Sequence, residues 1–268
     1  MPFTPSHAAA VLPLRALTRR GWLCLSALVV GSIAPDLEYL LLLRGYSRWG
    51  HTFAGTFYFC LPVGLLTLLI FERFAKRRWL LLLPAAARRR WATAALKAPS
   101  LRAWFISIPL SILIGSWTHL LWDGFTHAGR FGGRWLPQIE RVAFTIVDRP
   151  VLWTNLLQLS STFVGALILY VAFRRSLSRD AYSNRIAPSI PDLWRHFLIA
   201  AWALLPILFA LGYAYRRAAY TPGVEYIHAF VGAGARATLS ATVVVGLLIA
   251  AVLAWIGYPA PYKTKAPQ

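Results

Sequence analysis

Five long apolar runs limit what this chain can become: residues 52–71, 104–125, 151–173, 196–215 and 237–258. Each is 20 to 23 residues long. About 20 helical residues at ~1.5 Å apiece cross the ~30 Å hydrocarbon core of a bilayer. Backbone in that core has no water to bond with, so each run must close its own hydrogen bonds as a helix. The 268 residues are 58% hydrophobic and 14% charged, and their mean hydropathy is +0.55, too apolar for a soluble domain of this size. Twelve Trp and eleven Tyr suit belts at the membrane surfaces. The expected fold is an all-α polytopic membrane bundle, an N-terminal helical hairpin plus about five transmembrane helices. It is read as one membrane-embedded domain over residues 1–268. Residues 1–127 form the half with the candidate metal site; 128–268 supply a covering loop and further helices.

The net charge of +19 raises nucleic-acid binding as a reading. The bases, however, fall between the apolar runs, so the membrane accounts for them and no nucleic-acid partner is expected. Nine positive charges in residues 72–102, five in 174–195 and the basic tail mark the cytoplasmic side. With Arg15, Arg19 and Arg20, that side holds nineteen Lys and Arg against nine on the other. The expected location is a bacterial inner membrane, with membrane lipids as neighbours. Cys24 and Cys60 lie in apolar runs and give neither a disulfide framework nor a thiolate metal motif.

At the N-terminus, Thr4-Pro5-Ser6-His7 reads as a helix start, with Thr4 as cap and Pro5 in the first turn. That helix runs to about Leu17, turns at Arg19-Arg20-Gly21, and a second apolar run covers Trp22 to Ala34. A leader peptide is the competing reading; Pro35 just after the cut and the upstream helix favour a retained segment. His7 and Asp36 lie about 13 and 15 residues from the turn, so antiparallel helices would lift both roughly 20 Å above it. Glu38 follows Asp36 as a candidate base or further ligand, and His51 stands where the next helix begins.

Acids are scarce here, nine in all, so those inside apolar segments call for a cause. Trp117-Thr-His119-Leu-Leu-Trp-Asp123-Gly-Phe-Thr-His127 ends the run 104–125. Its His119, Asp123 and His127 are four apart and span roughly 80° of one helix face. That spacing lets neighbours hold one ion. The following loop, 126–150, is long enough to cover a site, and its Arg130 and Arg134 are candidates for an anionic head group. His196 and His228 read as interfacial or structural.

In chain order the polar residues give His7, Asp36, His51, His119-x3-Asp123 and His127. This order resembles the zinc-dependent phospholipase C and single-strand nuclease superfamily, over residues 1–127. Met-Pro-Phe-Thr-Pro-Ser-His7, Ala-Pro-Asp36-Leu-Glu38 and Gly-His51-Thr are also similar to an uncharacterised bacterial family of multi-span proteins, and to inner-membrane proteins predicted to be metal-dependent hydrolases. The first resemblance implies that Asp36, His51, His119 and Asp123 form one zinc site, that Asp123 bridges to a second ion near His7, and that His127 serves a further ion. The chain departs from that superfamily in lacking a later His-x3-Glu pair; Glu225 and His228 stand in reversed order. One or two ions, rather than three, are therefore expected. Nitrogen and carboxylate donors suit zinc, with manganese or iron as alternatives.

The functional expectation is a membrane-bound, metal-dependent hydrolase of a phosphoester, lipid or lipid-linked, working on the non-cytoplasmic side. Asp123 and Glu38 are its catalytic candidates, and an anionic or phosphorylated lipid its substrate. The alternative is a non-catalytic metal-binding scaffold or small transporter, since ionisable groups within a membrane also mark ion pathways.

Overall fold

The computed structural model describes residues 4–88, 91, 99–146, 149–177 and 190–258, leaving aside the side chains of Val224 and His228. Seven of the bases used above for orientation (Arg89, Arg90, Lys97, Arg179, Arg185, Lys263 and Lys265) lie outside those residues, as does the His228 side chain. In chain order the helices are α1 (Arg15–Arg19), α2 (Leu25–Ile33), α3 (Leu37–Leu42), α4 (Phe53–Leu82), α5 (Ala103–Thr126), α6 (Phe131–Trp135), α7 (Trp153–Leu177), α8 (Asp192–Ala218) and α9 (Val224–Trp255). Leu25–Leu42 and α4, α5, α7, α8 and α9 (from Glu225) are long and apolar enough to cross a membrane. The chain is an all-α polytopic membrane bundle, with a single two-stranded sheet among the described residues.

Two compact units divide the chain. The first comprises Met1–Leu37, Ser47–Leu68 and Pro99–Ser178; the second comprises Glu38–Tyr46, Leu69–Ala98 and Arg179–Gln268. In the second, α8 and α9 pack on each other, and the end of α4 joins them through Leu81, Leu82, Ile190, Ile249 and Leu253. Indole N–H groups of Trp79 and Trp202 donate to the carbonyls of Gly246 and Thr242, both at 2.8 Å.

In the first unit, α2 lies against α5 at a contact made of small residues. A Cβ on Gly31 would meet the Ile112 carbonyl oxygen at 2.3 Å, and one on Gly115 would meet that of Leu28 at 2.4 Å. Only glycine permits this approach, and small residues at the seam are how membrane helices come close. Ser116 then donates to the Gly31 carbonyl at 3.1 Å, fixing the register.

The N-terminal helix expected up to Leu17 is not continuous. Tight 3₁₀ turns cover Thr4–Ala9 and Leu12–Leu14, and α1 is five residues long. Pro13 removes an N–H donor there and breaks the α-helical ladder. The second arm begins at Leu25 rather than Trp22 and passes through a 3₁₀ turn at Ala34–Asp36 around Pro35. Further on, α4 continues well beyond Phe71 into the basic stretch, where Lys76 pairs with Glu72 at 2.7 Å and Arg78 donates to the Phe74 carbonyl at 2.6 Å. Helix α9 likewise begins thirteen residues before Ala237. The loop after α5 holds α6, a 3₁₀ turn and an antiparallel hairpin of β1 (Val142–Ile146) and β2 (Arg149–Leu152).

Candidate metal centre

All six imidazole and carboxylate residues singled out in the metal pattern meet within the first unit. The α2–α5 seam runs straight into the site. One turn beyond Ser116, His119 Nδ1 stands 2.7 Å from the Ser32 carbonyl oxygen. That oxygen can only accept, so Nδ1 is the donor and Nε2 is the ring nitrogen turned toward the cluster. Another turn on, Asp123 reaches the same point. The 3₁₀ turn at Pro35 swings Asp36 in from the α2 side, and Thr52 caps α4 so that His51, just before it, points inward.

The distances fall into two groups. His51 Nε2 and His119 Nε2 are 3.3 Å apart. Asp36 Oδ1 is 3.3 Å from the first and 3.6 Å from the second. Asp123 Oδ2 is 3.4 Å from each. These are two near-equilateral triangles sharing one edge. Donors about 2.0–2.1 Å from a zinc ion at tetrahedral angles stand about 3.3–3.4 Å from one another, so each triangle has the size of one face of a zinc tetrahedron. The other oxygen of Asp123, Oδ1, lies 3.5 Å from His7 Nε2 and 3.6 Å from His127 Nδ1. His7 is stacked on His119, ring centroids 3.8 Å apart. Asp123 thus faces two imidazoles with each of its oxygens.

Five of the six residues are shut away from solvent, while the His127 side chain stays 25% exposed. His119 is fully buried, and His7, Asp36, His51 and Asp123 are all at 8% exposure or less. Both ring nitrogens of His7, Oδ1 of Asp36 and Oδ1 of Asp123 are buried without a hydrogen bond among the described residues. Leaving such atoms unmet costs about 1–3 kcal/mol each, more when charged. A cation placed among them would offset that cost and the mutual repulsion of two buried carboxylates. Outside the spans, burial lowers His7 to about 3, aided by neighbouring His119. Burial also lowers His127. At His51 burial acts downward too, but the adjacent carboxylates of Asp123 and Asp36 prevail and raise it.

Supporting contacts orient the donors. The Thr4 hydroxyl donates to Asp36 Oδ2 at 2.7 Å, which leaves Oδ1 facing the imidazoles. Thr4 is therefore no helix cap; its role depends on a partner 32 residues away and has no local sequence signature. The amide of Gln158, on α7, lies 3.3 Å from His127 Nε2. Arg130 donates to the His51 carbonyl at 3.3 Å, while Arg134 is exposed on α6. Glu38 is buried, and no group of candidate ligand atoms found among the described residues includes it.

A family model described as a domain of unknown function, DUF4184, matches residues 1–257. The chain belongs to the DUF4184 family. No curated protein and no solved structure matches it. For this DUF4184 chain, then, the chemistry has to be read from the donors themselves. Two triads are compact enough to share an ion: Asp36, His51 and His119, and His7, His119 and Asp123, each with donor atoms within 4.8 Å of one another.

Proposed function

We propose that this is a membrane-embedded, metal-dependent phosphoester hydrolase. The observation that carries the reading is the placement of Asp123, one oxygen toward His51 and His119 and the other toward His7 and His127. Asp36, His51, His119 and Asp123 would hold one zinc ion with four protein donors, a closed set. His7, Asp123 and His127 would hold a second with three, which leaves a position for water or substrate. A divalent ion supplies positive charge for a phosphate and makes a water acidic enough to react near neutral pH.

The chain's residues would do the rest. Asp123 ties the two sets together, His119 is held in one tautomer by Ser32, and Gln158 steadies the His127 ring. Arg130, beside His51, brings a cation to the rim of the site. Water oxygen would join phosphorus, a P–O bond would break, and the leaving alcohol would take the proton. The bias of bases favours the non-cytoplasmic face of a bacterial inner membrane.

The closed set taken alone would fit a metal-stabilised scaffold. The three-donor set favours the enzyme, because a purely structural ion has no use for an open position. The test is zinc content and zinc-dependent turnover of a water-soluble phosphodiester by the purified protein. His127→Ala should keep one tightly held ion and lose turnover; Asp123→Ala should lose both ions. Equal, trace zinc in all three proteins would overturn the metal reading. Full zinc without turnover of any phosphoester would leave the scaffold.

A further inference from the structure

A cavity of about 80 Å³ opens beside the cluster, and His7 belongs to both. Its other walls include Ser6 and Ala10 from the N-terminal segment, Trp122 from α5, and Val164 and Ile168 from α7. Two of its walls are therefore helices of the membrane-spanning kind. Gln158 sits level with the cluster through its contact with His127. Ile168 is ten residues further along α7, about 15 Å deeper at the helical rise. The cavity thus follows α7 from the cluster toward the middle of the span.

The N-terminal wall is pinned in place. Ser6 donates to the Thr162 carbonyl at 3.0 Å, and a Cβ on Gly165 would stand 2.8 Å from that of Ser6. Among the described residues, no Lys, Arg, Asp or Glu lines the cavity. Apart from Ser6, His7 and Ser161 the walls are apolar, so the space suits hydrocarbon better than a free anion. Trp122, Val164 and Ile168 are also among the large apolar side chains exposed on the protein, so in a bilayer they face lipid.

We infer that this cavity receives a hydrocarbon chain of a membrane lipid whose phosphate lies at the His7–Asp123–His127 donors. The inference rests on the hydrolase reading for what happens to the phosphate, but not for the seating of the chain. The volume matches the share of about three water-sized groups, so it grips a short stretch of chain and the remainder runs on into the bilayer. The chain would arrive sideways from the membrane, along α7, rather than from water.

The experiment uses the full-length protein, zinc-loaded, in phosphatidylcholine nanodiscs doped with a phosphatidate carrying a diazirine in one acyl chain. After irradiation, labelled peptides are mapped by mass spectrometry. Label should concentrate on residues 4–10 and 161–168 and fall at least tenfold in Ile168→Trp, which fills the deep end. Ala10→Phe, which narrows the opposite wall, should lower it similarly, with zinc content checking that each variant is folded. Label spread evenly over the lipid-facing helices, or unchanged in both variants, overturns the inference. Concentrated label in a protein that turns over no phosphoester leaves the chain site standing and sinks the hydrolase. Turnover of a soluble diester with evenly spread label does the reverse.

Discussion

At the scale of single residues, the centre divides into groups that carry donor atoms and groups that aim them. The donors were readable in the sequence because Asp and His are costly in apolar runs and because His119, Asp123 and His127 repeat at helical spacing. The aiming groups were not. The Ser32 carbonyl is backbone and could belong to any residue, and Thr4 acts only through a fold-dependent neighbour. Thr4→Val keeps the shape and removes the donor, so zinc affinity should fall about tenfold, as measured by competition with a chromophoric chelator. Protons should also mark the site. The carboxylates of Asp123 and Asp36 raise His51 above its ordinary value, so a proton there would compete with the proposed ion. His7, lowered to about 3, has none to give. Affinity should therefore climb as pH rises through the His51 value and drop below it. Calorimetry in buffers of different ionisation enthalpy should show protons released on zinc binding, and fewer as the pH rises.

Among the elements, the α2–α5 seam sets the spacing on which the centre depends. Gly115→Val would push against the Leu28 carbonyl and the Ser32 nitrogen and move Ser32 away from His119. Overpacking of this kind costs about 1–3 kcal/mol. The expected result is a lower thermal midpoint together with weaker zinc binding. Gly212 is the contrast: an added Cβ there meets nothing within 4 Å, so Gly212→Ala should be neutral or slightly stabilising. The spans were legible from hydropathy, but several ends were not. Arg73, Lys76, Arg77 and Arg78 read as loop, yet long basic side chains can ride on a helix that continues past the apolar stretch. Gly232, Gly234 and Arg236 interrupt the hydropathy of α9 without interrupting its backbone. Val142 to Ile146 is too short a run to declare itself a strand against the surrounding Gly and Arg.

For the molecule as a whole, the orientation drawn from the bases has a direct check. A membrane-impermeant thiol reagent applied to intact cells should label Arg134→Cys and spare Arg102→Cys until the cells are permeabilised; the opposite pattern would turn the centre to the cytoplasm. The donors also come from places far apart in the chain: His7, Asp36 and His51 precede His119, Asp123 and His127 by a stretch that includes all of α4. Synthesis at ~5–20 residues per second puts several seconds between the emergence of Asp36 and that of His119. During that interval a carboxylate destined for a greasy interior has neither the proposed cation nor half of its companions. The nascent chain must leave Asp36 at the lipid–water boundary, or shelter it in the insertion machinery, until α5 arrives. Loading with the proposed metal would then be a closing act of biogenesis, performed on a bundle already seated in its bilayer.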